Sequence, residues 1–395
     1  MAKNRQTVSL YVPAYNAGRT LACCLASVLR MRPRPDELIV VDDGSTDDTP
    51  RIARQAGFAL VRHPENRGVA TARNTAIRTA RGKLVASLDA DQIAPRDWLA
   101  RMLKNFEGRR RIVGCCGRVV EKHTDTIADR WRAVHMKLSF GMRRSYDPRW
   151  LHGGTMLVRD AVLDVGLYNE RCLRAYEDVE LVARLKAAGH VLLYDPTIIA
   201  THLKRSRPGD VVRDFWSYWA AKNEIEGAYK SLAAACRLMI ARQMGIAAYR
   251  IGQDLKHKRD ELLPLDAIIP LAFCVRDLDE MVRLGRLRRE QALDIQTALT
   301  RCYQGVWEEL FPRKCSGDDC IAAGMARLAF TGGRLPDGRP NRLAAAAKNY
   351  VSAFRRAFAH LLADLPVPVR ERILRRASDV LLEAEPSMRA GWSGE

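Results

Sequence analysis

The amino-acid sequence predicts an α/β fold: a mostly parallel, Rossmann-like sheet with helices on both faces, followed by an all-α C-terminal domain. Over roughly the first 120 residues, short apolar segments alternate with amphipathic ones, which is typical of parallel sheets connected by helices. From about Pro208 onward the pattern becomes helical. The Gly-rich turns of dinucleotide-binding folds and P-loops are missing after the predicted strands, so those two nucleotide sites are disfavoured.

Each predicted strand is a short apolar run, and a helical pattern follows the first four. The predicted strands are Val8 to Val12, Glu37 to Val41, Phe58 to Arg62, Lys83 to Leu88 and Ile112 to Val119. The predicted helices are Arg19 to Met31, Thr46 to Ala56, Val69 to Ala80 and Pro95 to Phe106. Asp47 and Asp48 fall in the first turn of the second helix and Pro95 opens the fourth, as expected at helix starts. Further along, Val191 to Tyr194 and Ile198 to Ala200 are also strand-like.

The change of pattern predicts two domains, residues 1–207 and 208–395. In the second, Leu284 to Leu299 and Leu343 to Leu362 carry apolar residues at helical spacing with Arg and Lys between them. The best candidate for a membrane span, Leu262 to Val275, is shorter than the roughly 18 residues required and contains Pro264 and Asp266, which favours a buried core segment. The role of this domain stays open: it could contact an acceptor molecule, a membrane surface or another copy of the chain.

The composition is that of a globular protein with a basic excess. Apolar residues make up 47% and charged residues 28% of the chain, and 65 basic against 46 acidic residues give a formal charge of +19. This excess favours polyanionic partners such as nucleic acid, anionic lipids or phosphorylated sugar donors. With no secretory pattern at the start of the sequence, we expect reduced thiols and a cytoplasmic location, with peripheral contact at the inner membrane face as an option.

Asp89-Ala90-Asp91 directly follows the predicted strand Lys83 to Leu88. Two carboxylates one residue apart in extended chain project to the same side, and a turn after the strand can aim both at one point. Such oxygen ligands suit Mg²⁺ or Mn²⁺, especially an ion shared with substrate phosphates. Polar sets also follow the other strands, at Pro13 to Asn16, Asp42 to Ser45 and His63 to Gly68. Because ligands of such sheets bind beyond the carboxyl ends of the strands, we expect these sets to form one site.

Several ordered motifs carry a resemblance to a known family. They are VPAYNA (Val12 to Ala17), VDDGSTDD (Val41 to Asp48), NRGVATARNTAI (Asn66 to Ile77), SLDADQ (Ser87 to Gln92), LHGGTMLVRD (Leu151 to Asp160), GLYNE (Gly166 to Glu170) and YEDVELVARLKAAG (Tyr176 to Gly189). Together they resemble the family-2-type glycosyltransferases, which are GT-A-fold enzymes that use a nucleotide sugar. The resemblance covers Val8 to Arg207, about half of the chain.

The resemblance implies a nucleotide-sugar site. The residues that it implies for nucleotide and sugar are Pro13, Tyr15, Asn16, Asp42, Asp43, Arg73, Asp89, Ala90, Lys204 and Arg205. Asp43 can accept a hydrogen bond from a uracil-like imide or a ribose hydroxyl, although an Asp-Gly-Ser turn can also cap the next helix. Arg73 is expected to contact the nucleotide or a supporting acidic group. A UDP-sugar is the expected donor, with GDP and dTDP sugars as alternatives.

The resemblance also implies a divalent cation, Mn²⁺ or Mg²⁺, held by Asp91, Asp89 and His202. Such an ion stabilises the charge that builds up on a departing nucleotide diphosphate. The family often has DADD at this point. Here Gln92 replaces the last Asp, while both ends of the Asp-x-Asp remain.

Glu177-Asp178 opens a predicted helix, where the helix dipole favours negative charge. The resemblance implies that Asp178 is the general base that deprotonates the acceptor hydroxyl, in a single displacement that inverts the anomeric carbon. It implies acceptor contacts at Gly153, Gly154 and Glu177. The acceptor itself stays open among a glycan, a protein and a lipid-linked carrier.

Three competing interpretations rest on other features. The charge of +19 alone would suit a nucleic-acid- or polyanion-binding protein on an inactive α/β domain, although no specific nucleic-acid motif supports this. A phosphoryl-transfer enzyme with Asp89 as nucleophile leaves the distant Glu177-Asp178 pair unexplained. The aromatic segment Phe215 to Trp219 could rest on a membrane surface, but such a density of aromatics favours packing between the two domains. The oligomeric state is not predicted.

Overall fold

The computed structural model describes residues 6–107, 112–152, 154–172, 175–225, 227, 250, 253–254 and 256–292. The chain divides into two compact units. The first comprises Met1–Thr124 and Met136–Arg205, and the second comprises Asp125–His135 and Ser206–Glu395. The predicted helix Leu343 to Leu362 lies outside the described residues, and Leu284 to Leu299 is described only as far as residue 292.

The first unit is built on an eight-stranded sheet with the order β3-β2-β1-β4-β7-β6-β8-β5. The strands are β1 (Val8–Ala14), β2 (Glu37–Asp42), β3 (Ala59–Arg62), β4 (Leu84–Ser87), β5 (Gln92–Ile93), β6 (Ile112–Glu121), β7 (Thr155–Val158) and β8 (Val191–His202). Its helices are α1 (Leu21–Leu29), α2 (Thr49–Gln55), α3 (Val69–Thr79), α4 (Trp98–Lys104), α6 (Arg159–Asp164) and α7 (Glu177–Ala187). All five predicted strands and all four predicted helices are present, with ends that differ by up to three residues.

The sheet is mixed. Strands β1 to β4 pair in parallel, which brings their carboxyl ends to one edge. Strand β7 is antiparallel to both β4 and β6, and β5 is antiparallel to β8, whereas β6 and β8 are parallel. The predicted segments Val191 to Tyr194 and Ile198 to Ala200 form one strand, β8. Its register against β6 shifts beside Gly117, where an added Cβ would lie 2.8 Å from the Ile198 carbonyl carbon.

Helices cover both faces of the sheet, as predicted. Side chains alternate between the faces along each strand, so Leu10 and Val12 join the core under α1 and α4, whereas Tyr11 joins the core under α3, α6 and α7. Both cores are dominated by aliphatic residues with near-zero exposure. This double covering makes the ends of the strands the accessible part of the sheet, where polar groups can meet a ligand.

The second unit contains the helices α5 (Ile127–His135), α8 (Pro208–Ile225) and α9 (Leu263–Arg283). Trp131 of α5 packs edge-on against Phe215 of α8, with ring centroids 5.3 Å apart, and its Nε1 donates to Asp266. Trp216 is buried and donates to Asp277. Part of the aromatic segment Phe215 to Trp219 therefore packs within the second unit. None of the helices that the structure describes combines the length and apolar content that a membrane span requires.

Candidate active site

The loop after β3 is held by the carboxylate of Asp43. Asp43 Oδ1 accepts from Arg67 N at 3.0 Å, and Oδ2 accepts from Gly68 N at 2.8 Å. His63 Nδ1 lies 2.6 Å from Asp43 Oδ1, and its other ring nitrogen lies 2.9 Å from the Thr75 hydroxyl on α3. Asp43 is thus buried among loop partners, and its direct contribution here is to shape the loop that the sequence analysis expected to meet the nucleotide.

Asp42 has a similar supporting position at the end of β2. Its buried carboxylate accepts from Ser45 N at 3.1 Å and pairs with Arg62 Nε at 3.0 Å. Gly44 follows with φ of +74°, and an added Cβ would lie 2.7 Å from Glu65 Cα, so the turns after β2 and β3 touch each other. This close approach explains the glycine in the Asp-Asp-Gly-Ser turn.

The segment after β1 offers an exposed aromatic ring. Pro13 is buried inside β1, and the polar residues Tyr15 and Asn16 follow the strand. Tyr15 is 50% exposed, which leaves its ring free to stack on a planar group. Asn16 has φ of 46°, and its side-chain oxygen accepts from Thr46 N at 2.9 Å, which ties this segment to the turn after β2.

Arg73 on α3 joins the two acidic motifs. Its Nη2 donates to Asp89 Oδ1 at 3.0 Å, its Nη1 donates to Ser87 Oγ at 2.9 Å, and its Nε lies 3.5 Å from Glu177 Oε1. The guanidinium is also 5.8 Å from the centre of the Tyr168 ring. Burial lowers the pKa of Arg73, but the surrounding anionic groups, with Asp89 foremost, raise it well above its ordinary value, so the side chain stays charged.

Asp89 is anchored on both carboxylate oxygens. Oδ1 accepts from Arg73, and Oδ2 accepts from Gln92 Nε2 at 3.1 Å. Burial raises the pKa of Asp89, and the Arg73 charge offsets part of that rise. Ala90, between the two aspartates, is buried.

Asp91 and His202 form a pair of candidate metal ligands. Asp91 Oδ2 lies 3.0 Å from His202 Nε2, and His202 Nδ1 lies 3.0 Å from Glu121 Oε1. Burial alone would raise the pKa of Asp91, but the His202 imidazole lowers it overall. Ligand atoms at right angles on an ion with bonds of about 2.1 Å lie about 3 Å apart, so this pair fits one small divalent cation. The imidazole nitrogen makes this pair less suited to Mg²⁺, which prefers oxygen ligands, than an all-oxygen set would be.

Glu177 and Asp178 begin α7 after a strained residue. Tyr176 has φ of 78°, a left-handed conformation that costs a non-glycine residue energy and recurs at functional sites. Burial raises the pKa of Asp178 to about 8, and the neighbouring Glu177 carboxylate adds to the rise. Burial also raises the pKa of Glu177, against the lowering effect of Arg73. Asp178 thus holds a proton more tightly than an ordinary aspartate.

Three of the remaining predicted residues lie within the part of the chain that the structure describes. Gly154 precedes β7, and Gly153 lies outside the described residues. Lys204 follows β8, and its charge contributes to lowering the pKa of Asp91. Arg205 is exposed.

Sequence reasoning placed His63 only at the start of the polar set after β3, without a role of its own, and it missed Glu121. His63 follows β3 just as Asp43 follows β2, and these two strands pair with Asp42 opposite Arg62. Glu121 had no local signal, since it lies 81 residues from His202 and meets it only through the β6–β8 pairing.

A second acidic cluster lies in the second unit. His135, Asp254 and Asp266 offer ligand atoms within 4.8 Å of one another. However, Arg259 pairs with Asp254 at 2.9 Å, and Arg250 pairs with Asp266 at 3.2 Å. The two guanidinium groups balance the two carboxylates, so this cluster is a buried ion-pair network.

The first unit combines features expected of a GT-A-type domain: a mixed sheet covered on both faces, with an Asp-x-Asp turn and a Glu-Asp helix start joined by one arginine. Residues 9–164 match the model of glycosyl transferase family 2, so this part of the chain is similar to the glycosyltransferases of that family.

Individual relatives match only parts of the chain. Chondroitin synthase of Escherichia coli is 38% identical over 103 residues, which is 25% of this chain and 15% of the relative. Poly-beta-1,6-N-acetyl-D-glucosamine synthase of Staphylococcus aureus (strain COL) is 27% identical over 202 residues, 48% of each chain. The chain thus spans about half or less of these curated relatives. The mannosyltransferase PcManGT from Pyrobaculum calidifontis, solved with GDP-Man and Mn²⁺, aligns over 100% of this chain and 89% of its own, with 18% identity and a TM-score of 0.44.

Proposed function

We propose that the protein is a metal-dependent, inverting glycosyltransferase that moves a sugar from a nucleotide diphosphate sugar, a UDP-sugar in the first place, to an acceptor hydroxyl. The observation that carries this proposal is the bridge made by Arg73 between Asp89 and Glu177. It links the Asp-x-Asp turn to the start of α7, so a group bound at the first motif lies close to the second. Long-range repulsion from Asp89 also contributes to the raised pKa of Asp178.

The nucleotide would occupy the edge formed by β1 and β2. The exposed Tyr15 ring offers a stacking face for the base, and the loop that Asp43 organises closes the other side. The buried Asp42 supports this edge by fixing the turn through Ser45.

The diphosphate would lie at the end of β4, beside Asp91 and His202. A bound Mn²⁺ or Mg²⁺ would supply the positive charge that a leaving nucleotide diphosphate requires. Glu121 holds the imidazole of His202 in place through Nδ1, which leaves Nε2 directed at Asp91 and the ion site. Asp89 would orient the sugar or ribose, since Arg73 and Gln92 fix its carboxylate.

Asp178 would take the proton from the acceptor hydroxyl, with Glu177 supporting acceptor binding. Its raised pKa suits a base that operates near neutral pH. A single carboxylate on the side opposite the leaving group gives one displacement and inversion at the anomeric carbon. Gly153 and Gly154 would let the acceptor approach the backbone closely. The printed names of the relatives, both polysaccharide synthases, favour a glycan acceptor over a protein or a lipid carrier.

The test is nucleotide-sugar binding and turnover, across UDP-, GDP- and dTDP-hexoses, with Mn²⁺, Mg²⁺ or EDTA. We expect Asp91→Ala to lose metal-dependent donor binding, and Asp178→Asn to keep donor binding but lose turnover. Asp97→Asn is a matched control, because Asp97 is exposed and pairs with Arg101 on its own helix turn. Failure of every nucleotide sugar to bind with either metal would overturn the proposal.

The charge of +19 supports one alternative, a polyanion-binding protein on an inactive α/β domain. That function predicts binding to nucleic acid or anionic vesicles that falls steeply with salt and survives Asp91→Ala and Asp178→Asn. Peripheral membrane contact through the basic helical domain would be one form of such polyanion binding. Flotation of the full chain with phosphatidylserine vesicles at low salt tests it, and recovery of the protein in the lipid-free fraction rejects it.

A further inference from the structure

Two buried hydrogen-bond acceptors beside the candidate metal ligands have no partner among the described residues. They are Gln92 Oε1 and His152 Nδ1. Gln92 is 1% exposed and His152 is 5% exposed, so bulk water does not satisfy either atom. A buried acceptor without a partner is costly, and in a native protein it calls for a water or a ligand.

The orientation of the Gln92 amide follows from its one hydrogen bond. Its Nε2 donates to Asp89 Oδ2 at 3.1 Å, and a carboxylate oxygen can only accept. The nitrogen therefore faces Asp89, and Oε1 points away from it as an acceptor.

The tautomer of His152 follows in the same way. Its Nε2 lies 2.8 Å from the carbonyl oxygen of Gly117, so Nε2 carries the hydrogen. Burial lowers the pKa of His152 to about 4, so the ring is neutral at pH 7. Nδ1 is then an acceptor.

Both side chains border the same point, next to Gly154. A Cβ added to Gly154 would lie 3.7 Å from Gln92 Oε1, 3.8 Å from His152 Cε1 and 3.8 Å from Ala200 Cβ. An added carbon would therefore fit beside this glycine in ordinary van der Waals contact with both polar side chains. Gln92 also pairs with His202 across β5 and β8, so the point lies beside the candidate metal ligands.

We propose that Gln92 Oε1 and His152 Nδ1 form a hydroxyl-reading subsite for the hexose of the donor. The inference rests on the proposed function and adds a specificity rule to it. The ionised oxygens of a phosphate are hydrogen-bond acceptors, so two further acceptors cannot bind them. The bound group must therefore present O–H or N–H donors. The position in the sheet favours the sugar over the nucleotide as the group that is bound here. The proposed nucleotide site lies at β1 and β2, whereas Gln92 lies on β5, the strand at the opposite edge of the sheet.

The decisive experiment uses the unmodified full chain and analogues of whichever nucleotide hexose it binds. Each hexose hydroxyl is replaced in turn by hydrogen and by fluorine, and the dissociation constant is measured with Mn²⁺ and without acceptor. Fluorine can accept but cannot donate, so at the position that is read both replacements should weaken binding by about tenfold. If neither replacement weakens binding at any position, the two acceptors are filled by ordered water only, and the inference is overturned.

Variants then assign the effect to the two side chains. A hydroxyl has one hydrogen to donate, so the sensitive position should lose its sensitivity in Gln92→Met or in His152→Phe, whichever removes the acceptor that reads it. The ratio of the two dissociation constants, parent over analogue, removes any general loss of affinity that follows from the contact of Gln92 with Asp89. Gln55→Met, on the exposed side of α2, is the matched control and should keep the full ratio.

Binding of the bare nucleotide diphosphate distinguishes failure of the proposed function from failure of the subsite alone. If UDP, GDP and dTDP all fail to bind with Mn²⁺, the proposed function fails and the subsite fails with it. If a nucleotide binds and the analogues show no preference for hydroxyl, only the subsite is wrong. A sensitive hydroxyl that stays sensitive in both variants also overturns it, because other atoms then read the sugar.

Discussion

Arg73 Nη2 lies 3.0 Å from Asp89 Oδ1, and this ion pair between a buried arginine and a half-buried aspartate connects α3 to the turn after β4. The same guanidinium reaches Glu177 at the start of α7. Three separate segments of the sequence therefore share one positive charge. Because that charge offsets the carboxylates around it, their protonation and position depend on Arg73.

Arg73→Ala should abolish most activity and destabilise the fold. Removing the cation leaves Asp89 and Glu177 without their compensating charge, which costs about 3–5 kcal/mol for a buried pair. Turnover should fall on the order of a hundredfold, since the turn and the start of α7 lose their common anchor. Urea unfolding and steady-state kinetics measure the two effects. Arg73→Lys should also have low activity, because one ammonium group cannot replace a planar guanidinium that donates several N–H bonds in fixed directions.

Arg78→Ala provides the control on the same helix. Its side chain is 56% exposed and pairs with Glu170 at 3.5 Å, so its loss should change stability by less than about 1 kcal/mol. An Arg73→Ala protein as stable and active as Arg78→Ala would refute the central role of Arg73.

Glu121→Gln should weaken metal binding without touching a predicted ligand. Glu121 holds His202 Nδ1 at 3.0 Å, and carboxylates in this position orient the imidazole. Affinity for Mn²⁺ should fall by about 10- to 100-fold, measured by calorimetry or electron paramagnetic resonance. Glu107→Gln, at an exposed position, should bind Mn²⁺ like the parent chain. Equal affinity in both variants would show that His202 needs no support from Glu121.

The sequence predicted the first unit well because its signals are local. Each parallel strand is a compact apolar run followed by a polar turn, so Asp42, Asp89 and Asp91 could be assigned to the ends of strands. The order of the antiparallel strands could not be predicted in this way. Strands β6, β7 and β8 are separated by long segments, and their pairing depends on packing between distant parts of the chain.

Within the candidate site, the limit of prediction was the partner of each side chain. That Asp43 meets the ligand stays a prediction, and the sequence did not reveal that its carboxylate also accepts from two backbone N–H groups of the loop after β3. Gln92 was treated only as a departure from a family pattern, whereas its amide fixes Asp89. Residue type and position on a strand are readable from sequence, but hydrogen-bond partners follow from the folded geometry.

The rate of transfer should rise with pH through the titration of Asp178. The base must be unprotonated, and burial with the neighbouring Glu177 raises its pKa to about 8. kcat/KM should therefore increase from pH 6 to above about 8 on the acid side of its profile. Glu177→Gln removes a like charge, which lowers the pKa of Asp178, so the acid limb should move to lower pH.

Glu180→Gln serves as the control for that shift, because Glu180 pairs with Arg184 and leaves the Glu177–Asp178 pair intact. Its acid limb should coincide with that of the parent chain. A profile in Glu177→Gln that stays in place or moves to higher pH would contradict the assignment of Asp178 as the titrating base.

Gly44→Ala and Gly57→Ala separate backbone strain from the contact between the turns after β2 and β3. Both glycines have similar positive φ values, 74° and 75°, so each substitution costs about 1–2 kcal/mol of conformational energy. At Gly57 no described residue other than its chain neighbours lies within 4 Å of the added Cβ, whereas at Gly44 the Cβ would lie 2.7 Å from Glu65 Cα. Gly44→Ala should therefore lose more stability in urea unfolding, by about 1–3 kcal/mol beyond Gly57→Ala, because the turns must separate. Displacing the turn that carries Asp43 should also weaken nucleotide binding in Gly44→Ala alone, and equal losses in both variants would exclude a structural role for this contact.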